Sequence, residues 1–180
     1  MRIISGKYKG KRLSAPKKLP VRPTTDMAKE GLFNILNNRF YLDELNVLDL
    51  FSGTGNISFE FASRGSEEIT AVDSYAGCVQ YISKTAKELD FPITSIKSDV
   101  FKFLERTPEK FNLIFADPPY SFETAQFLAI ANLVFQNELL KEDGLLVIEH
   151  SDQTDLSEHS HFVESRKYGG SIFSFFTIAE

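Results

Sequence analysis

Asp117-Pro118-Pro119-Tyr120 closes the apolar run Asn112–Ala116 and is the most chemically loaded turn of this 180-residue sequence. Two consecutive prolines fix φ and supply no N–H donors, so the turn presents carbonyl oxygens on a rigid frame. The Asp117 carboxylate and a carbonyl of the turn can accept both N–H bonds of one exocyclic amine. Tyr120 offers a flat face on which a base stacks. A ring amine is planar and weakly nucleophilic, because its lone pair is delocalised. Acceptors placed for a pyramidal nitrogen favour the attacking geometry over the resting one. The plainer alternative is a rigid proline turn that caps the next helix.

Three further polar sites also follow apolar runs. Asp49-Leu50-Phe51-Ser52-Gly53-Thr54-Gly55-Asn56 takes a strand through a glycine loop into a helix. Glycine lets that backbone turn tightly and approach a ligand, and the helix N-terminus offers free N–H groups. Asp73, followed by Ser74, lies 20 residues beyond Gly53. A carboxylate there suits the two hydroxyls of a ribose, or simply caps the next helix. Ser98-Asp99-Val100 is the last of the three, and Asp99 is equally a ligand contact or an N-cap. A dinucleotide loop wants G-x-G-x-x-G, and here Ser58 holds the third glycine's place.

These sites need elements to hold them. Arg2–Ser5 and Lys11–Ala15 read as a hairpin around Gly6–Gly10, and Lys17–Pro23 as an extended, proline-bounded linker. Thr24 or Thr25 caps a helix over Asp26–Phe40, with apolar residues at helical spacing. Strands follow at Asn46–Leu50, Glu68–Val72, Ile93–Lys97, Phe111–Ala116 and Leu145–Glu149. Helices at Asn56–Arg64, Tyr75–Leu89, Val100–Arg106 and Phe122–Gln136 alternate with them. Phe162–Tyr168 and Ser171–Ile178 flank Gly169-Gly170, a turn too short for a helical crossover, so they must run antiparallel. The expected fold is α/β, with a mostly parallel seven-stranded sheet, an antiparallel C-terminal edge hairpin and a small N-terminal β-hairpin. In such a sheet ligands bind beyond the carboxyl ends of the strands, where all four sites fall. The domain expectation is a basic hairpin and linker over 1–23 and a catalytic domain over 24–180.

Composition sets the limits. At 42% hydrophobic and 25% charged the chain is globular in type, and no apolar run reaches the ~18 residues that span a bilayer. No membrane association is expected. The N-terminus lacks a signal peptide's apolar core. Cys78 is the single cysteine, which suits a reducing cytoplasm. His150, His159 and His161 give no zinc spacing with it, so no metal is expected. The net charge of −5 hides an asymmetry: residues 1–30 hold nine Lys/Arg against two acids, the remainder eleven against twenty-three. A basic arm on an acidic body points to a polyanion, through Lys7, Tyr8, Lys9, Lys11 and Arg12; a solvated hairpin is the alternative.

The spacing of Asp49, Gly53 and Gly55 resembles the cofactor loop of S-adenosylmethionine-dependent methyltransferases, and D-P-P-Y after the fourth strand resembles their amino-methylating members. The opening Arg2–Lys11 and the segment Arg22-Pro23-Thr24-Thr25-Asp26 through Leu36 resemble the RsmD family of bacterial 16S rRNA guanine-N2 methyltransferases. Glu149-His150 and Lys167-Tyr168-Gly169 follow in the family's order. Met27 and Lys29 stand where arginine is common in that family, and Gly170 where an acid is.

The resemblance implies a Rossmann-like methyltransferase fold and transfer of a methyl group from S-adenosyl-L-methionine to the N2 amine of one guanine. The family target is guanine 966 of 16S rRNA in an assembling small subunit. Asp49, Gly53 and Gly55 would meet the cofactor's amino-acid end, Asp73 would hold its ribose, Asp99 and Val100 would meet its adenine, and Phe51 and Ser74 would also contact the cofactor. Asp117, Pro118 and Tyr120 would hold the target base, and Arg22 and Thr24 would close over it and contact RNA. A cytoplasmic monomer is expected. The rival readings are methylation of adenine N6 or of a protein glutamine and, more remotely, a nicotinamide-dependent oxidoreductase.

Overall fold

The computed structural model describes residues 1–178. Seven strands form one sheet: β1 (Asn46–Leu50), β2 (Glu68–Asp73), β3 (Ile93–Lys97), β4 (Phe111–Ala116), β5 (Leu140–His150), β6 (Phe162–Tyr168) and β7 (Ser171–Thr177). Their order is β3-β2-β1-β4-β5-β7-β6. The first five are parallel, and β7 runs antiparallel between β5 and β6. The hairpin thus forms one edge, as its two-glycine turn requires.

Helices cover both faces. α1 (Asp26–Arg39), α2 (Asn56–Ser63) and α3 (Ala76–Leu89) close one apolar layer, with Phe33, Phe59 and Phe61 against Val47 and Phe115. α4 (Val100–Arg106) and α5 (Thr124–Gln136) close the other, with Leu104, Phe127 and Ile130 against Leu48, Ile114 and Leu146. The alternate residues of β1 and β4 serve opposite layers, and these strands are buried on both faces, as expected of a covered parallel sheet.

Several boundaries differ from the sequence reading. α5 begins at Thr124 because Glu123 and Gln126 form a reciprocal capping box; Phe122 instead packs on Phe51, Phe101 and Phe127. α3 begins at Ala76 because the Tyr75 N–H donates to Asp73 at 2.9 Å. β5 starts five residues before Leu145. Its charged opening Lys141-Glu142-Asp143 reads as loop, but Leu140 pairs with Phe111 before the register shifts. Asp143 in the left-handed region marks the irregularity.

The N-terminal hairpin is shorter than expected, with a single bridge between Arg2 and Arg12. Its backbone turns toward α2 instead. The Ile4 and Ser5 N–H groups donate to the Glu60 carboxylate at 2.8 and 3.1 Å, and the Lys7 N–H to the Ser63 carbonyl at 2.7 Å. Gly6 makes this approach feasible. A Cβ there would lie 1.9 Å from the Ser63 oxygen, and its φ is +86°. Ile3 and Leu13 join the α1–α2 layer.

Candidate active site

A cavity of about 490 Å³ opens at the carboxyl ends of β1, β2, β4 and β5. Its floor is the glycine loop. The Ser52 N–H bonds the Val72 carbonyl at 3.0 Å, which turns the chain sharply off β1. The Gly53 N–H then donates to Asp73 at 2.9 Å, so one carboxylate ties this loop to the start of α3. Ser52 Oγ is buried without a hydrogen-bond partner among the described residues, a donor and acceptor free for a ligand. Gly55 has another task. Its φ of 85° caps α2, and a Cβ would meet Ile82 and Phe59 at 2.9 Å.

Four carboxylates line this space: Asp49, Asp73, Asp117 and Glu149. Asp49 is 1% exposed, and burial pushes its carboxyl up to about 7; the Ser58 hydroxyl, 2.7 Å away, opposes the shift and the Asp73 charge adds to it. Burial also raises Asp117 well above the carboxylate range, helped by Glu149 and Asp49 and opposed by Arg22. Glu149 is raised by burial, while Thr24, Ser171 and Arg22 favour its charge. The roof is the segment Pro20–Thr25. Thr24 Oγ1 donates to Glu149 Oε2 at 2.7 Å, and the Arg22 guanidinium lies 4.6 Å from the Tyr120 ring centre. One face of Tyr120 is thus already covered by a cation.

The structure brings Asp117, Pro118, Tyr120, Asp49, Phe51, Gly53, Asp73, Ser74, Arg22 and Thr24 to this cavity. Gly55, Asp99 and Val100 do not line it. Asp99 is exposed and N-caps α4 through the Lys102 N–H at 3.0 Å, and Val100 is buried in the α4–α5 layer. Lys7, Lys9, Lys11 and Arg12 are exposed on the docked hairpin. Tyr8 packs edge-on against Phe91, and its hydroxyl donates to the Leu89 carbonyl. Thr24 is buried on the inner side of the roof, where its hydroxyl donates to Glu149 and is not presented outward. Sequence reasoning gave no role to Glu149, Ser52 or Asn56. Glu149 carries the same signal as Asp117, an acid ending an apolar strand.

Lys29 is a further surprise. It is fully buried, donating to the Arg2 carbonyl at 2.6 Å and to Asn56 Oδ1 at 2.8 Å, with Glu60 at 3.2 Å. Asn56 Nδ2 in turn holds the Thr24 carbonyl at 3.0 Å. Lys29 therefore joins the hairpin, α2 and the roof. Gly170 has open space where a side chain would stand. Among the described residues no group of three or more His, Cys, Asp or Glu has the arrangement to hold a metal ion. None of their helices is long and apolar enough to cross a membrane.

A glycine loop after β1, an acid ending β2 and a D-P-P-Y turn after β4, on a sheet of this order, define a Rossmann-like methyltransferase fold. The particular family follows from the chain itself: the model described as "Conserved hypothetical protein 95" matches residues 1–177, and the chain belongs to that family, the RsmD family that its motifs resemble. YlbH of Bacillus subtilis is 34% identical over 163 residues, covering 88% of this chain and 86% of that one. Ribosomal RNA small subunit methyltransferase D of Haemophilus influenzae is 30% identical over 155 residues, 83% of this chain and 78% of that protein. Among solved structures, protein TTHA0928 of Thermus thermophilus superposes with a TM-score of 0.84 at 25% identity, over 99% of both chains.

Proposed function

We propose that this protein transfers a methyl group from S-adenosyl-L-methionine to the exocyclic N2 amine of a guanine in small-subunit ribosomal RNA. The family target is guanine 966 of 16S rRNA. One observation carries the reading: the Asp117–Tyr120 turn faces the glycine loop across a single acid-lined cavity. The names of relatives from Haemophilus influenzae and Escherichia coli, ribosomal RNA small subunit methyltransferase D, support the RNA class.

The residues present fit such a cofactor. Asp49 would answer its cationic amino-acid end, the free Ser52 hydroxyl and the Gly53 loop would line that end, and Asp73 would accept from the ribose. The Ser98 N–H bonds the Asp73 carbonyl at 3.0 Å, which keeps Asp99 and Val100 beside Asp73, where the family pattern assigns adenine. When bound, the cofactor supplies an activated methyl on sulfonium.

The chain's own residues do the rest. Asp117 and the Pro118 carbonyl hold the two amine hydrogens and orient the nitrogen lone pair. Methyl transfer from that sulfonium would leave positive charge on the amine nitrogen. The adjacent Asp117 carboxylate stabilises that charge and accepts the proton that leaves. Tyr120 stacks on the base with the face Arg22 leaves free. Thr24 and Arg22 hold the roof closed over the reacting atoms, which keeps water out. The setting we propose is a monomer in the cytoplasm acting on an assembling small subunit. The test is incubation with labelled S-adenosyl-L-methionine and small subunits from cells lacking the protein, followed by nucleoside analysis. N2-methylguanine is the expected product; label in N6-methyladenine or in protein would overturn the reading.

A further inference from the structure

We infer that Glu149 reads the target base, its carboxylate accepting the ring N1–H of guanine while Asp117 holds the neighbouring amine. This rests on the reading above and adds a specificity-determining residue to it. The first ground is register. Ala116 of β4 pairs with Ile148 of β5 in parallel, so Asp117 and Glu149 leave adjacent strands level with each other. Both line the cavity. The second ground is burial. Glu149 is 2% exposed, and a carboxylate taken out of water at that cost is ordinarily paired or hydrogen-bonded. No lysine or arginine forms an ion pair with it within the ordinary contact distance among the described residues. The Thr24 hydroxyl holds Oε2 at 2.7 Å, and Ser171 stands beside it in the cavity wall. A carboxylate offers about four acceptor positions, so these hydroxyls orient it without using it up.

The chemistry selects the ligand. Guanine shows N1–H and N2–H₂ side by side on one edge, two neighbouring donor groups for two level carboxylates. Adenine shows its amine beside a bare N1 lone pair, which would face Glu149 as acceptor against acceptor. A site built to receive a hydrogen bond rejects an analogue lacking the donor far more strongly than a merely apolar pocket does. The D-P-P-Y turn alone grips any exocyclic amine; Glu149 supplies the difference between purines.

The experiment separates this inference from the reading beneath it. Small subunits are reconstituted with guanine or 2-aminopurine at the position the wild-type protein methylates. 2-Aminopurine keeps the amine but replaces N1–H with a lone pair. Single-turnover transfer is compared for wild type, Glu149→Gln, Glu149→Ala and Thr24→Val, with cofactor affinity by calorimetry as the check on folding. Wild type is expected to prefer guanine by at least ~100-fold. Glu149→Gln, whose amide can donate to the N1 lone pair, is expected to lower the guanine rate and raise the 2-aminopurine rate, cutting the preference at least ~10-fold. Glu149→Ala should lose guanine without that rescue. Thr24→Val removes a hydroxyl that orients Glu149 but leaves its carboxylate in place, so it should slow transfer and shift the ratio by less than Glu149→Gln does. If Glu149→Gln keeps the wild-type ratio, or Thr24→Val shifts it as much, Glu149 is only a latch for the roof and the inference fails. If wild type makes no N2-methylguanine at all, the functional reading fails first and takes this one with it.

Discussion

Asp49 shows how one buried side chain sets a measurable property. Burial holds its carboxyl near 7, so it is largely neutral below that pH and ionised above it. A cationic amino-acid group binds the ionised form. Cofactor affinity should therefore rise as pH increases toward about 7 and fall again as the cofactor's own α-amino group loses its proton at ~8, and Asp49→Asn should flatten the rise. Calorimetry across pH 5.5–8.5 checks both, and an unchanged slope in the variant would remove Asp49 from the cofactor site. Asp117 belongs to the chemical step instead. Asp117→Ala should cut single-turnover transfer by roughly 100-fold or more at saturating cofactor and RNA, the loss of one preorganised electrostatic contact, while cofactor affinity stays near wild type. Asp73 and Asp117 were legible in the sequence because each closes an apolar run that had to be a strand, and Asp49 because of its spacing to Gly53 and Gly55. Glu149 and Ser52 were not. Glu149 is oriented by Thr24, 125 residues away, and the freedom of Ser52 Oγ is defined by what fails to reach it. Asp99 followed the same sequence rule as Asp73, yet its helix-capping contact is the one the structure displays.

Segments read by periodicity came through well, and segments held by distant partners did not. The parallel strands and their helices were visible because the central strands β1 and β4 are covered on both faces and so read as apolar runs, with helical spacing between the strands. The C-terminal hairpin was visible because two glycines allow nothing else. The docking of the N-terminal hairpin was hidden, since it rests on Glu60 and Ser63 of α2, neither of which has any local signature of the task. Glu60 is fully buried, gripping two backbone N–H groups of the hairpin, Lys29 and Arg64. Lys29 extends that grip to Asn56 and so to Thr24 in the roof. Lys29→Met should thus act on two elements at once. Breaking a buried ion pair costs about 3–5 kcal/mol, and the low end is expected because Glu60 keeps Arg64 at 2.8 Å. Denaturant unfolding should show that loss, and transfer should fall further than cofactor affinity because the roof loses its anchor. Wild-type stability in Lys29→Met would mean that Arg64 alone supports Glu60.

For the whole molecule the decisive property is where its charge lies. The chain carries a net −5, yet its first thirty residues hold nine cations against two acids. Docking on α2 fixes that charge in place: the hairpin cannot trail freely, and Lys7, Lys9, Lys11 and Arg12 stay exposed on it. The rest of the chain carries eleven cations against twenty-three acids, so a polyanion is attracted most strongly to this basic segment. Such contacts neutralise phosphates and release counterions, so binding weakens with salt by a log–log slope of about 0.9 for each phosphate met on a duplex and about 0.7 on a single strand. Replacing Lys7, Lys9, Lys11 and Arg12 together by glutamine should lower small-subunit RNA affinity and flatten that slope by roughly one contact per residue that truly touches a phosphate. Cofactor affinity should not move, because none of the four lines the cavity. The four are exposed and carry no salt bridge among the described residues, so stability should change by no more than ~0.5 kcal/mol, and a loss of binding cannot be blamed on unfolding. Filter binding across a salt series reads the slope directly. An unchanged slope would make the hairpin a structural brace for α2, and the RNA would have to be held by the acid-lined cavity and its roof alone.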